Sequence, residues 1–271
     1  MSDAEPRQEN KQDEIIPLFA ASRKLDAGAP FRWLRLGWKD IKRAPGPSLA
    51  YGIFLVLFSY LITYLVFSAG NYILLFSLVT GFVLLGPALA FGMYDVSCQL
   101  ERGRSPTLGH CLVESRKHLG NELIFAVILL IILLVWARAA SMVHIFFPTD
   151  SDAGALGLLT FLGIGSAVGA VFAALVFSVS AFSLPMMMDQ DVDVVTAALT
   201  SINAVLNNKG VMLLWAAIIV AAVLIGFATA YVGLAVLLPL IGHATWHGYR
   251  ETIEQFPVQG RGTDQTDGKG A

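Results

Sequence analysis

The sequence predicts an all-α, polytopic membrane protein with six transmembrane helices in three hairpins, and two observations carry this prediction. Of its 271 residues, 56% are hydrophobic and only 14% are charged, whereas a soluble domain carries about 25% charged residues. The apolar residues also form stretches long enough to cross a bilayer, which takes about 20 residues of helix. An ordinary soluble enzyme and a disordered or fibrous chain are therefore excluded.

Five apolar stretches supply the predicted spans. The first four are each long enough for one helix, and the fifth is 36 residues long, which suffices for two helices of about 20 residues with a tight turn, expected at Gly226–Thr229. One span with a re-entrant segment is the second choice for this last stretch. The stretches are Leu49–Ser68, Tyr72–Tyr94, Leu123–Phe147, Leu156–Met188 and Val211–Trp246.

The positions of the basic residues predict the orientation. Nine of the 18 lysines and arginines precede the first span, while the connections after spans one, three and five contain none. The positive-inside rule then places both termini and the two long loops in the cytoplasm, as in a multi-pass protein of a bacterial inner membrane. Residues 31–252 form the predicted membrane domain, and the polar residues 1–30 and 253–271 are predicted to be disordered cytoplasmic tails.

A repeated pattern predicts a cytoplasmic amphipathic helix before each hairpin. Apolar residues of 108–119 recur at a constant offset of 87 in 195–206, at the i, i+3, i+4, i+7, i+11 spacing of one helical stripe. A looser copy covers 34–41. In the helix predicted there, Phe31, Leu34, Trp38 and Ile41 form the expected apolar stripe.

The first of these helices is the predicted contact with lipid or with a partner. Basic residues near an anionic membrane surface contribute about 1 kcal/mol each, and aromatic residues suit the headgroup level. A groove in a cytosolic partner is the alternative. The predicted contact residues are Arg32, Trp38, Lys39 and Lys42.

Few ionisable groups lie in or beside the spans, and four of them form a candidate polar cluster: Asp95, Arg138, His243 and His247. The two histidines are spaced i, i+4 and share a helix face. That spacing suits zinc, but a competent site needs a third or fourth ligand. The sequence contains no P-loop, GxSxG motif or catalytic carboxylate pair, so no metal, no cofactor and no catalytic residue is predicted.

Two smaller features complete the pattern. Gly165-xxx-Gly169 and Ser77-xxx-Gly81 are typical of helices whose backbones approach closely. Cys98 and Cys111 lie in the predicted cytoplasmic connection, where thiols stay reduced, and are expected to be free thiols.

Several segments together resemble a known family. They are Trp38–Asp40 with Pro47–Gly52, Gly81–Pro87 running on to Leu100–Gly103, Asp191–Asp193 with Ser201, and Gly242–Arg250. In combination they resemble a proteobacterial family described as "predicted integral membrane protein", a domain of unknown function, over roughly residues 30–252. The resemblance implies a six-helix inner-membrane topology and no particular activity.

The functional prediction is a non-enzymatic inner-membrane protein, such as a scaffold, an assembly factor or a component of envelope homeostasis. Membrane lipid is the expected partner, with other inner-membrane proteins as further candidates. A net charge of −2 gives no indication of nucleic-acid binding. The alternative is a transporter or channel for a small solute, with a cavity near Gly86-Pro87 and the fourth span.

Overall fold

The computed structural model describes residues 18–69, 91–107, 109, 119–146, 154–190 and 192–255. This part of the chain is helical apart from turns, short irregular segments and one isolated bridge between Ser22 and Ile253. Its helices in chain order are α1 (Ala29–Arg43), α2 (Pro45–Ala69), α3 (residues 91–101), α4 (Leu119–Phe146), α5 (Gly154–Ser180), α6 (Ser183–Gln190), α7 (Val194–Asn207), α8 (Lys209–Ala228) and α9 (Leu234–Thr252).

Four stretches of described helix are long and apolar enough to cross a membrane: Pro45–Ser68, Gly120–Val143, Leu156–Gln190 and Lys209–Ala228. Only 11–28% of the most apolar part of each is buried inside the protein. Apolar surface on this scale is unfavourable in water and is covered by lipid in a bilayer. The all-helical fold with several spans is thus confirmed. Residues 72–90 of the predicted second span lie outside the described residues.

The last predicted stretch contains two helices, α8 and α9, separated by a turn at residues 229–233. In this turn Ala230 and Tyr231 have positive φ angles of 51° and 69°, which is uncommon for residues other than glycine. The Tyr231 N–H donates to the Gly226 carbonyl at 2.8 Å. Since the second half of α9 is polar, α9 is not one of the four candidate spans, and the sixth span stays a prediction.

The predicted fourth span is broken at residues 181–182, between α5 and α6. Pro185 explains the break, because a proline lacks the N–H that would bond to the carbonyl four residues earlier and its ring clashes with that carbonyl. The Phe182 N–H donates instead to Ser201 Oγ at 3.1 Å. The break therefore connects this span to α7.

Helix α9 is the element against which both α1 and α2 pack. Two glycines allow the close approach. A Cβ on Gly37 would lie 2.8 Å from the Ala244 backbone nitrogen, and a Cβ on Gly52 would overlap the Ala235 carbonyl. The first half of α9 thus contacts α2, and the second half contacts α1. Elsewhere in the described chain, α4 packs mainly on α5, and α5 packs on α7.

Helix α1 has two opposite stripes. Trp33, Gly37 and Asp40 are buried against the protein, whereas Phe31 and Trp38 are 59% and 43% exposed. The predicted apolar stripe is therefore divided, since its members Phe31 and Trp38 face outward and its last member, Ile41, is buried.

The other two predicted amphipathic helices differ in how much is described. In α7 the small and polar residues Thr200, Ser201 and Ala204 are buried, and the predicted apolar residues Val195 and Leu206 are exposed. The segment 110–118 of the middle copy lies outside the described residues.

Residues 20–25, within the predicted N-terminal tail, pack against α7 and the end of α9. The Ala20 N–H donates to Thr200 Oγ1 at 3.0 Å, and the Arg23 N–H donates to the Thr252 carbonyl at 2.8 Å. The amide of Asn208 bonds to the backbone of both Arg23 and Leu25. This part of the tail therefore adds a layer beside the helices.

Candidate functional site

A buried polar cluster joins α1, α2, α3 and α9. Its innermost members are Asp40, Ser48, Ser97 and His243, each no more than 5% exposed. The fifth member, His247, is at the edge, with 18% of its side chain exposed. Buried polar groups are tolerated only when they are hydrogen-bonded, so the geometry of this cluster determines how the four helices fit together.

The members form a continuous chain of hydrogen bonds. His247 Nε2 lies 2.7 Å from Asp40 Oδ2, and Ser97 Oγ donates to the same oxygen at 2.8 Å. Ser97 Oγ is also 2.8 Å from His243 Nδ1, and the other ring nitrogen, Nε2, is 2.9 Å from Ser48 Oγ. The chain ends at the Ala44 carbonyl, to which Ser48 Oγ donates at 2.8 Å.

The two serines allow His243 to be fully bonded in either protonation state. When Ser97 donates to Asp40 and Ser48 donates to Ala44, both ring nitrogens must donate, and the imidazolium is balanced by the Asp40 carboxylate. When one serine hydroxyl turns toward the ring, the neutral ring has one donor and one acceptor. Ser48 is completely buried, so the cluster connects helices and presents no serine hydroxyl at a surface.

A second layer of charged groups surrounds the end of α9. Arg250 forms ion pairs with Glu101 at 3.1 Å and with Asp189 at 2.9 Å. The Trp246 indole donates to Glu101 at 3.0 Å, and the Tyr249 hydroxyl donates to Asp189 at 2.8 Å. Because Glu101 is the last residue of α3 and Asp189 is in α6, these bonds connect both helices to α9.

The start of α1 is fixed to the end of α9 by Glu251. Its carboxylate accepts from Arg32 at 2.5 Å and from the indole of the buried Trp33 at 2.8 Å. Arg32 also pairs with Asp26. The hydrogen bonds from Arg32, with one from the Gly28 N–H, lower the pKa of Asp26 to about 2. The Arg32 guanidinium is thus engaged on both sides by protein carboxylates.

The structure brings together two of the four residues of the predicted polar cluster. His243 and His247 are joined through Asp40 and Ser97. Asp95 is buried on α3 and accepts from Gln99 at 2.6 Å, within the same helix. Arg138 is exposed on α4, a helix that packs mainly on α5, and it is not part of the cluster.

The predicted lipid-contact residues separate into two groups. Trp38, Lys39 and Lys42 are exposed on α1, and the Lys42 ammonium lies 5.7 Å from the centre of the Trp38 ring. Arg32 belongs instead to the ion-pair network with Asp26 and Glu251.

Sequence reasoning missed three central residues of the cluster, Asp40, Ser48 and Ser97. One signal pointed to Asp40, the single acidic residue in α1. Trp33, Gly37 and Asp40 follow the i, i+4, i+7 spacing of one helix face. The serines gave no signal of their own. Glu122 was also passed over, although it is buried near the start of α4 and its carboxylate has no hydrogen-bond partner among the described residues.

Cys98 is a free thiol, as predicted, and it is buried on α3. Burial raises the pKa of the thiol to about 11, which leaves little of the reactive thiolate at neutral pH. Cys111 lies outside the described residues.

Comparison with known proteins supports the membrane assignment. No curated protein and no solved structure matches the chain. A family model does match, and its region runs from within the predicted second span to α6 and includes Ser97, Glu101 and Asp189 of the site. The chain is thus an integral membrane protein that matches, over residues 74–189, the family described as "Predicted integral membrane protein (DUF2189)", whose function is unknown.

Proposed function

We propose that this protein is a non-enzymatic scaffold of the bacterial inner membrane, with cytoplasmic termini, that acts by holding anionic lipid against α1. The observation that carries the proposal is the outer face of α1, defined as Phe31, Arg35, Trp38, Lys39 and Lys42. Four of these residues follow the i, i+4, i+7, i+11 spacing of a single stripe, and Lys39 is beside it. All five are exposed.

The opposite face of α1 supports this surface. Trp33, Gly37 and Asp40 each lie two residues from a member of the outer stripe, which corresponds to about 200° around a helix of 3.6 residues per turn. Because these three residues are packed or hydrogen-bonded against α9, the helix cannot rotate to bury its cations. The outer face is therefore held in one orientation.

The chemistry of the outer face suits a lipid headgroup. Aromatic side chains are typical of the membrane interface, and lysines beside them attract anionic lipid. The Lys42 ammonium over the Trp38 ring is a cation–π pair. Arg32 is left out of the proposed lipid contact because Asp26 and Glu251 already engage it.

The test is a lipid titration of the full-length protein in detergent, followed by native mass spectrometry. Replacing both lysines, Lys39→Gln with Lys42→Gln, is expected to weaken phosphatidylglycerol binding by about 30-fold, since each basic residue contributes about 1 kcal/mol and 1.4 kcal/mol is a factor of ten. The matched control is Arg104→Gln with Lys209→Gln, which removes the same charge from exposed positions outside α1.

Four results would contradict the proposal. An equal loss in the control pair would mean that only net charge matters, and equal binding of phosphatidylcholine would mean that headgroup charge does not matter. Crosslinking of the outer face to another protein in native membranes, without lipid, would replace lipid with a protein partner. Turnover of a substrate by the purified protein would exclude a purely non-enzymatic role.

A transporter for a small apolar solute is the second candidate, and one observation favours it. A cavity of about 720 Å³ lies between α4 and α5, beside the predicted fourth span. Transport requires access to the cavity from both sides of the membrane. Solute accumulation in vesicles containing the protein, absent from empty vesicles, would establish this function in place of the scaffold.

A further inference from the structure

The motif Gly165-xxx-Gly169 opens a cavity where the sequence predicted a close helix contact. A Cβ on either glycine would meet no atom within 4 Å, so no described helix packs closely on these positions. Gly169 lines the cavity of about 720 Å³ between α4 and α5. The absence of a side chain at Gly169 therefore leaves space at this position.

The walls of the cavity have almost no polar groups to offer a ligand. Apart from the Trp136 indole, Ser180 is the one lining residue with a polar side chain, and its hydroxyl donates to the Val176 carbonyl at 2.7 Å. Phe125, Leu129 and Phe177 are typical of the remaining wall. An occupant must therefore be hydrocarbon over its whole buried length.

The length of the cavity favours a short occupant. Its lining runs from Phe125 to Trp136 on α4 and from Gly169 to Ser180 on α5, which at 1.5 Å per residue is about 16 Å along each helix. That is about half of the 30 Å hydrocarbon thickness of a bilayer.

From this geometry we infer that the cavity holds one acyl chain of a membrane lipid. A membrane-spanning helix of a second copy would not fit, because it is about 30 Å long, roughly twice the length of the cavity. The cavity is closed at one end by the buried Phe125 and Leu184, and Trp136 and Ala173 are exposed. The chain enters from the surrounding bilayer on the side of these exposed residues. This site is separate from the outer face of α1, which is proposed to bind headgroups.

The test fills the cavity with a side chain introduced at Gly169. Gly169→Phe places a ring in the cavity without a Cβ clash, and Gly163→Phe is the matched control, since Gly163 is on the same helix, is equally open at Cβ and does not line the cavity. The full-length proteins are purified from vesicles of phosphatidylethanolamine and phosphatidylglycerol. Native mass spectrometry then counts the lipids that remain bound after detergent exchange.

The wild type and Gly163→Phe are expected to keep one tightly bound lipid, and Gly169→Phe is expected to reduce its occupancy at least tenfold. Ala173→Phe, on the exposed part of the same wall, is a second variant with the same expected loss in case Gly169→Phe does not fold. Lipid retention that neither variant changes, or no retained lipid in the wild type, would overturn the inference. The Lys39/Lys42 pair of substitutions should leave this lipid in place.

Discussion

The close contact between α1 and α9 makes Gly37→Ala a sharp test of the fold. The added Cβ would lie 2.8 Å from the Ala244 backbone nitrogen, and ordinary contacts begin at 3.4 Å. Because the obstacle is backbone, it cannot be relieved by a side-chain rotation. Helix α1 must therefore move away from α9 by about 0.6 Å, which is small compared with the 8–10 Å between packed helix axes but large for a hydrogen bond.

The displacement acts on the polar cluster. Asp40 is one turn from Gly37, and its bonds to His247 and Ser97 are 2.7 and 2.8 Å long. Lengthening them by about 0.6 Å takes them beyond the usual 3.2 Å limit. Overpacking costs about 1–3 kcal/mol, and a weakened bond to a charged group costs about 1.5–3 kcal/mol. The higher helix propensity of alanine compared with glycine offsets about 1 kcal/mol of this loss in stability.

The expected result is a loss of about 2–5 kcal/mol in the free energy of unfolding. The assay is equilibrium unfolding of the full-length protein in detergent, followed by the fluorescence of Trp33 and Trp215, which are buried with ring centres 5.4 Å apart. Gly163→Ala is the control, because Gly163 lies inside α5 and its Cβ would meet nothing within 4 Å. Gly52→Ala should be worse than Gly37→Ala, since its Cβ would overlap the Ala235 carbonyl. Equal stability of Gly37→Ala and Gly163→Ala would refute the reasoning.

Three further predictions concern single side chains. Asp40→Ala should lower the free energy of unfolding by about 3–5 kcal/mol, because it leaves the partners of a buried charged group unpaired. The same unfolding assay measures this loss, and a loss below about 1 kcal/mol would contradict the prediction. Asp193→Ala should cost about 1 kcal/mol, since Asp193 accepts from the Val195 and Thr196 N–H groups and caps α7, whereas Asp193→Asn should retain most of the cap. Cys98 should react with iodoacetamide about 100-fold more slowly in the folded protein than after unfolding, because burial raises its pKa from 9.0 to about 11. Mass spectrometry of the labelled peptide measures this rate. Rapid labelling of the folded protein would show that the thiol is not enclosed.

The helical membrane fold was predictable because crossing a bilayer is a property of single segments. A stretch of about 20 apolar residues is favourable in lipid only when its backbone groups bond within the segment, as in a helix. Four of the predicted stretches accordingly contain candidate spans at nearly the predicted positions. The break at residues 181–182 was less visible, because Pro185 could equally have kinked a continuous helix.

The candidate site was only partly predictable, since its members are far apart in sequence. His243 and His247 could be singled out because they share one face of one helix. Their partner Asp40 is about 200 residues away, and the serines that complete the chain of bonds, Ser48 and Ser97, are 195 and 146 residues from His243. No local pattern specifies such a meeting.

Composition and periodicity alone established that this is an integral membrane protein built of helices, because hydropathy and helix formation depend on neighbouring residues. The tertiary structure decided which stripe of α1 is buried and which is left outside. It also decided that Gly37 serves a close contact, whereas Gly169 borders a cavity. Glycine has opposite consequences at these two positions, because its effect depends on whether a second backbone lies within 4 Å of the position of an added Cβ. The packing of α9 on α1 and of α4 on α5 sets that distance.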